Sequence, residues 1–120
     1  NRLGDVGYAV QRFAEEHGYG VIRDFCGHGI GREMHEDPSV PNYGNPGRGL
    51  RLEPGMTICL EPMIAMGTWK IYIQDNDWTA VTRDKKPCSH YENSNICQQN
   101  ARLCLHQFLF YFIEHLILTK

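Results

Sequence analysis

The apolar residues at the start of the chain repeat with the period of an α-helix. They fall three or four positions apart and so lie on one face: Leu3, Val6, Val10 and Phe13. Asp5 lies where a cap or a first-turn residue is expected, and Gly18 is typical of the position just beyond a helix. The pattern predicts a surface helix over residues 5–17 that packs one apolar stripe on a sheet.

The next apolar positions follow the two-residue period of β-strands. Residues 20–26 favour a strand, and the turn at residues 53–55 is followed by an alternating segment at residues 56–61, which Pro62 ends. In this segment one face is expected to carry Met56, Ile58 and Leu60, and the other Thr57, Cys59 and Glu61. Glu61 is therefore predicted to be a carboxylate at the end of a strand.

Two further β-forming runs, residues 69–73 and 78–83, are joined by four polar residues and predict a hairpin. A last strand is predicted over residues 90–96. Eight of the twelve residues from 38 to 49 are Pro, Gly or Asn, which predicts a long surface loop that borders a substrate cleft. One helix followed by antiparallel strands makes an α+β domain.

Composition narrows the function classes. A chain of 120 residues is long enough for one modest domain and too short for two. Its 12 basic and 14 acidic residues form no basic stripe, so no direct nucleic-acid partner is expected. Five cysteines, an odd number without a Cys-x-x-Cys pair, and the lack of a signal-peptide pattern favour a reducing, cytoplasmic setting.

The end of the chain is different from the rest. Residues 103–118 form a dense apolar run of 16 residues, shorter than the roughly 20 that span a bilayer, so no membrane span is predicted. A buried helix, a helix that docks on a partner, and a frameshifted C-terminus are the alternatives. Asn1 in place of an initiator methionine leads us to expect a fragment of a larger domain.

Candidate chemistry lies on four residues. His28 stands between two glycines, His35 follows seven residues later, Glu61 ends a predicted strand and Glu92 lies in the last one. Imidazole and carboxylate donors suit Mn, Fe(II), Co or Zn, and carboxylates can bridge a pair of cations that activates a shared water. The spacing alone also fits a glycine-rich turn with surface histidines and a solvated glutamate, so both interpretations stay open at this point.

Six motifs, in order, add a resemblance to a known family. They are Cys26-Gly27-His28-Gly29-Ile30-Gly31-Arg32, His35-Glu36-Asp37-Pro38, Leu52-Glu53-Pro54-Gly55-Met56-Thr57, Leu60-Glu61-Pro62-Met63, Asp77-Trp78-Thr79 and His90-Tyr91-Glu92-Asn93. Over residues 1–94 the chain resembles the C-terminal half of type I methionine aminopeptidases, which have the pita-bread metallopeptidase fold. The resemblance implies an incomplete α+β domain, an antiparallel sheet with a covering helix. Met63 disfavours the related Xaa-Pro peptidases, in which Pro-Gly typically follows the glutamate.

The resemblance implies roles for these residues. His28, Glu61 and Glu92 would bind two divalent ions (Co, Mn, Fe(II) or Zn), with Glu92 bridging them. Glu61 would also act as the acid/base partner of the activated water, and His35 would hydrogen-bond the substrate and the developing oxyanion. The reaction implied is removal of the initiator methionine from nascent peptides, with the ribosome as a candidate partner.

The resemblance also implies a pocket for the methionine side chain. Phe25, Met34 and Trp78 match positions that line it, although Phe25 and Trp78 also fit plain core aromatics.

After Ser94 the match breaks, so residues 95–120 are predicted to be a divergent tail. A catalytically dead pita-bread remnant that acts as a binding module is the alternative function, and the presence or absence of paired aspartates in the upstream gene would discriminate between the two.

The family pattern needs two further aspartate ligands and a second substrate histidine from its N-terminal half, which cannot be placed in this sequence. We therefore expect the 120-residue chain alone to bind metal poorly and to be inactive. Incubating the purified chain with Met-Gly-Met and divalent ions is expected to release no methionine above the background rate. Cleavage at a rate normal for the family would contradict this expectation.

Overall fold

The computed structural model describes residues 1–98. In this part the chain forms one helix, α1 (Leu3–Glu16), and nine short strands. The strands are β1 (Gly20–Val21), β2 (Gly27–Gly29), β3 (Glu36–Val40), β4 (Thr57–Leu60), β5 (Met63–Ala65), β6 (Ile71–Ile73), β7 (Ala80–Thr82), β8 (Cys88–His90) and β9 (Asn93–Ile96). Over the described range no helix is long and apolar enough to cross a membrane. The apolar run at residues 103–118 lies outside the described residues.

Helix α1 begins two residues earlier and ends one residue earlier than predicted. Asp5 lies in its first turn, where its carboxylate accepts hydrogen bonds from the backbone N–H groups of Gly47 and Arg2, each 2.6 Å long. These two bonds, the Gly47 bond first, hold the pKa of Asp5 below its ordinary value. Gly18, in the left-handed region at φ +80, ends the helix because it accepts this conformation without strain.

The strands form two main sheets and a separate hairpin. The first sheet has the order β1-β5-β8 and the second the order β3-β2-β4-β9, with every pair antiparallel, while β6 pairs only with β7. Three stretches of chain pass from one sheet to the other. Two of these crossings are only two residues long: Glu61-Pro62 between β4 and β5, and Tyr91-Glu92 between β8 and β9.

The single strand predicted over residues 90–96 is wrong, because it is divided between the two sheets. His90 ends β8, which pairs with β5, whereas Asn93 begins β9, which pairs with β4. The backbone N–H of Tyr91 donates to the carbonyl of Pro62 at 3.2 Å, so the two short crossings lie side by side. Each crossing therefore brings a glutamate to the same junction between the sheets.

The predicted loop at residues 38–49 begins too early, because its first three residues belong to β3. Pro38 is tolerated there since β3 is an edge strand and its pairing with β2 is irregular. The remaining loop packs against the start of α1, where the N–H of Leu3 donates to the carbonyl of Leu50 at 2.9 Å. The remaining loop is not part of the lining of the cavity described below, and its position beside a substrate cleft stays a prediction.

The other strands are shorter than predicted. Only the first two of residues 20–26 are paired in a strand there, and β4 loses one residue at each end of the predicted segment. The hairpin has a six-residue connection instead of four. Its tip is closed by Asn76, whose side-chain oxygen accepts hydrogen bonds from the N–H groups of Trp78 and Thr79 at 3.1 and 2.9 Å, which removes both residues from the strand.

The helix covers both sheets with its apolar face. Its first turns pack with strand residues of the second sheet in one buried cluster: Leu3, Val6, Val10, Val40, Ile58 and Leu60. Its last turn packs with the first sheet through Ala14, Val21 and Ile64, and Phe13 contacts both clusters. Ile58 and Leu60 thus face the helix, as the alternation of residues 56–61 predicts. The predicted α+β class, an antiparallel sheet with a covering helix, is confirmed.

Candidate metal centre

The centre lies beside strand β4, where three residues are aligned across neighbouring strands. Cys59 on β4 is in register with His28 on β2 and with Ser94 on β9. Directly opposed residues of antiparallel strands project to the same face. Because Ile58 and Leu60 point to the helix, this row of polar side chains lies on the other face of the sheet.

Glu61, in the first crossing, is the most firmly held residue of the centre. Its side chain is only 11% exposed, yet each of its oxygens has an imidazole partner: Oε1 lies 3.1 Å from His28 Nε2, and Oε2 lies 3.2 Å from His90 Nε2. Its backbone carbonyl accepts a 2.7 Å hydrogen bond from the side chain of Asn42, which is itself buried. The carboxylate is therefore held at both oxygens, and the backbone of the same residue at a third point.

The contacts of His28 suit a metal ligand. Its Nδ1 lies 2.8 Å from the carbonyl oxygen of Gly29, and because a carbonyl can only accept, Nδ1 is the donor in this hydrogen bond. Its Nε2 lies 3.1 Å from Oε1 of Glu61. A metal-binding histidine typically donates its other N–H to a carbonyl in this way, which leaves Nε2 as the atom that binds the ion.

Two groups of potential ligands lie around this point among the described residues. One comprises His28, Cys59 and Glu92, and the other Glu61, His90 and Glu92; within each group the donor atoms lie within 4.8 Å of one another. The structure thus brings together the three residues predicted as ligands, His28, Glu61 and Glu92. Glu92 belongs to both groups, and its role as a bridge between two ions stays a prediction.

Sequence reasoning missed two of these donors, Cys59 and His90. Each precedes a predicted ligand by two residues, Cys59 before Glu61 and His90 before Glu92. The alternation of residues 56–61 already assigns Cys59 to the face of Glu61 and could have indicated it as a donor. His90 ends β8 and Glu92 lies in the crossing that follows, so alternation gives no such signal for His90.

His35 lies next to the centre rather than in it. Its ring centroid is 4.2 Å from that of His28, although seven residues separate them. The pairing of Gly29 with Glu36 folds the chain back and makes this contact. A side chain that is exposed and beside the ligands can reach a bound peptide, and the substrate-binding role of His35 stays a prediction.

A cavity of about 680 Å³ opens beside Glu61 and His90. Phe25 lines it together with apolar side chains of the hairpin and of the first sheet and its adjoining segment, among them Ile22, Met63 and Ile71. Met34 and Trp78 do not line it within the described residues; they are 72% and 88% exposed. The contribution of Phe25, Met34 and Trp78 to a methionine pocket stays a prediction.

Known proteins were compared with the chain in sequence and structure. The model of metallopeptidase family M24 matches residues 1–119. The methionine aminopeptidases of Clostridium acetobutylicum and Clostridium perfringens are 55% and 51% identical over 94 residues, which is 78% of this chain and 38% of each relative. The chain thus spans well under half the length of these curated relatives. The predicted division between residues 1–94 and a divergent tail at residues 95–120 stays a prediction.

Solved structures of methionine aminopeptidases are also similar to this chain. The crystal structure of the Thermotoga maritima methionine aminopeptidase superposes with a TM-score of 0.80 at 48% identity and covers 82% of this chain and 40% of that one. The Rickettsia prowazekii enzyme gives 0.79 at 44% identity. The predicted pita-bread type of α+β fold, represented here by part of the domain, is confirmed by these neighbours. By the extent of the family match and the shared fold, the chain belongs to metallopeptidase family M24.

Proposed function

We propose that this chain is part of a metal-dependent aminopeptidase that removes the N-terminal methionine from nascent proteins. The observation that carries the proposal is the convergence of two ligand groups that share Glu92. The similarity to enzymes named methionine aminopeptidase, at 55% and 51% identity, supports the substrate class. The cytoplasm, with the ribosome as a candidate partner, is the setting in which such substrates arise.

His28, Glu61 and Glu92 would hold two divalent ions, with His90 beside them. Their nitrogen and oxygen donors fit Mn, Fe(II), Co or Zn. Ions bound there would supply Lewis acidity, which activates water and polarises the carbonyl of the scissile peptide bond.

The residues of this chain would move and hold the protons. Glu61 accepts a proton from the attacking water and delivers it to the leaving amine. His28 and His90 keep its two oxygens in place at 3.1 and 3.2 Å, so that little reorientation is needed between the two transfers. His35, next to His28, donates a hydrogen bond to the carbonyl oxygen as negative charge develops on it.

The cavity beside Glu61 would accept the side chain of the first residue. Its volume of about 680 Å³ and its apolar wall suit an unbranched thioether such as methionine. An acidic side chain would lose its hydration there and would face the carboxylates of Asp24 and Glu61, which line the cavity, so peptides that begin with methionine are expected to be preferred over peptides that begin with glutamate.

A chimaera tests the function. Residues 1–94 replace the matching segment of the Clostridium acetobutylicum enzyme, and release of methionine from Met-Gly-Met is measured with Mn²⁺ or Co²⁺. We expect the chimaera to cleave this peptide, to leave Glu-Gly-Met intact and to lose activity when a chelator removes the ions. A chimaera that is folded by circular dichroism and binds metal, but does not release methionine, would contradict the proposal.

A further inference from the structure

We propose that the thiol of Cys59 is a further metal ligand, so that His28, Cys59 and Glu92 together select a thiophilic divalent ion such as Zn²⁺ or Cd²⁺ over Mn²⁺. This inference rests on the metal centre of the proposed function and goes beyond the imidazole and carboxylate donors considered there.

The position of Cys59 in the sheet places its side chain at the centre. It lies on β4, an inner strand, and is in register with His28 on one side and Ser94 on the other. Its sulfur, a ring nitrogen of His28 and a carboxylate oxygen of Glu92 all lie within 4.8 Å of one another. Modest adjustment of these side chains would bring all three to the 2.0–2.3 Å distances typical of zinc ligands.

The surroundings of the thiol separate it from the other cysteines. Cys59 is fully buried, and its sulfur lies 3.3 Å from the hydroxyl oxygen of Ser94, a neighbour that can orient it. Cys26 and Cys88 are exposed, and Cys97 is partly buried against the core. Of these four free cysteines in the described part of the chain, only Cys59 belongs to a group of three potential ligands.

The chemistry of sulfur gives the selectivity. On binding, the S–H bond breaks, the proton leaves to solvent and a sulfur lone pair forms the bond to the metal. Thiolate is a soft ligand that favours Zn²⁺ and related ions, whereas Mn²⁺ prefers oxygen ligands. A nitrogen, a sulfur and an oxygen make three protein ligands, which leaves a position open on a tetrahedral ion, as in catalytic zinc sites.

Cobalt spectroscopy on the full 120-residue chain tests the assignment, with Co²⁺ in large excess because the chain alone is expected to bind metal weakly. Co²⁺ is expected to produce an intense near-ultraviolet absorption from thiolate-to-metal charge transfer, which Cys59→Ser abolishes. Cys26→Ser and Cys88→Ser, the matched controls, are expected to keep it. The ratio of Cd²⁺ to Mn²⁺ affinity should fall by at least about tenfold in Cys59→Ser, since even indirect partners of a metal contribute 10–100-fold.

Three results would overturn the assignment. They are Co²⁺ bound with ligand-field bands but no charge-transfer absorption, a spectrum that Cys59→Ser leaves unchanged, and no Co²⁺ bound by the folded chain even in large excess of the ion. None of them bears on the peptidase proposal, which the chimaera tests through methionine release. If Cys59→Ser does not fold, Cys59→Thr is measured instead, because threonine suits a strand and offers only a harder oxygen donor.

Discussion

Replacement of Glu61 by glutamine in the chimaera is expected to lower kcat/KM for Met-Gly-Met by about 10²–10⁴-fold, the range that general acid–base catalysis contributes. The amide keeps the size of the side chain but cannot accept the proton of the attacking water. It also offers one oxygen instead of two to His28 and His90, which lie 3.1 and 3.2 Å from the carboxylate. Steady-state rates of methionine release measure the loss.

The matched control is Glu53→Gln. Glu53 is an exposed glutamate of the same chain whose carboxylate lies 3.3 Å from Arg51, away from the ligand groups. Loss of such a surface pair changes stability by at most about 1 kcal/mol, and the rate of methionine release is expected to stay unchanged. Metal content is measured for both variants, so that loss of the ions is distinguished from loss of proton transfer. Equal rates for Glu61→Gln and the parent chimaera would contradict the role given to Glu61.

Gly27→Ala is expected to lower the free energy of unfolding by about 1–3 kcal/mol, as overpacking of a tightly packed site does. A methyl group at this position would collide with the backbone carbonyl of Cys59 on the neighbouring strand. Backbone atoms of a paired strand cannot rotate away, so β2 must shift from β4. The shift would also carry His28 away from Glu61, and metal affinity should fall together with stability. Urea denaturation and Co²⁺ titration of the same variant measure the two effects.

Gly31→Ala is the control for this substitution. A methyl group there meets only the carboxylate of Glu36, the movable end of a side chain. The free energy of unfolding is expected to change by no more than about 1 kcal/mol, in either direction. If both glycine variants lost the same stability, close contact between β2 and β4 would not be the reason for glycine at position 27.

Local sequence patterns predicted the elements that can be recognised from their own periodicity, without knowledge of the strand or helix they pack against. The helix and strand β4 follow from their periods of 3.6 and two residues, and both were located to within two residues at each end. The strand predicted over residues 90–96 failed because alternation continues through a crossing while the pairing partner changes from β5 to β4. That change is decided by packing between distant parts of the chain, which no local period records.

In the candidate site, too, some features follow from local sequence patterns and others do not. Spacing could not bring His28, Glu61 and Glu92 together; their association was expected from the motifs, and the structure places their donor atoms within reach of common ions. The alternation of residues 56–61 is enough to assign Cys59 to the face of Glu61, whereas the meeting of His90 with Glu92 depends on the crossing between β8 and β9. The length of the hairpin tip, in contrast, depends on the side chain of Asn76, whose two hydrogen bonds the residue types do not reveal.

The two short crossings have a consequence for how this family can vary during evolution. Glu61-Pro62 and Tyr91-Glu92 each connect strands of different sheets with two residues. One inserted or deleted codon in either would reverse the direction of every side chain that follows in the strand and would turn a carboxylate away from its partners. The hairpin tip at residues 74–79 is exposed almost throughout and tolerates changes of length. Length polymorphism among homologues should therefore accumulate at the tip and be purged at the crossings.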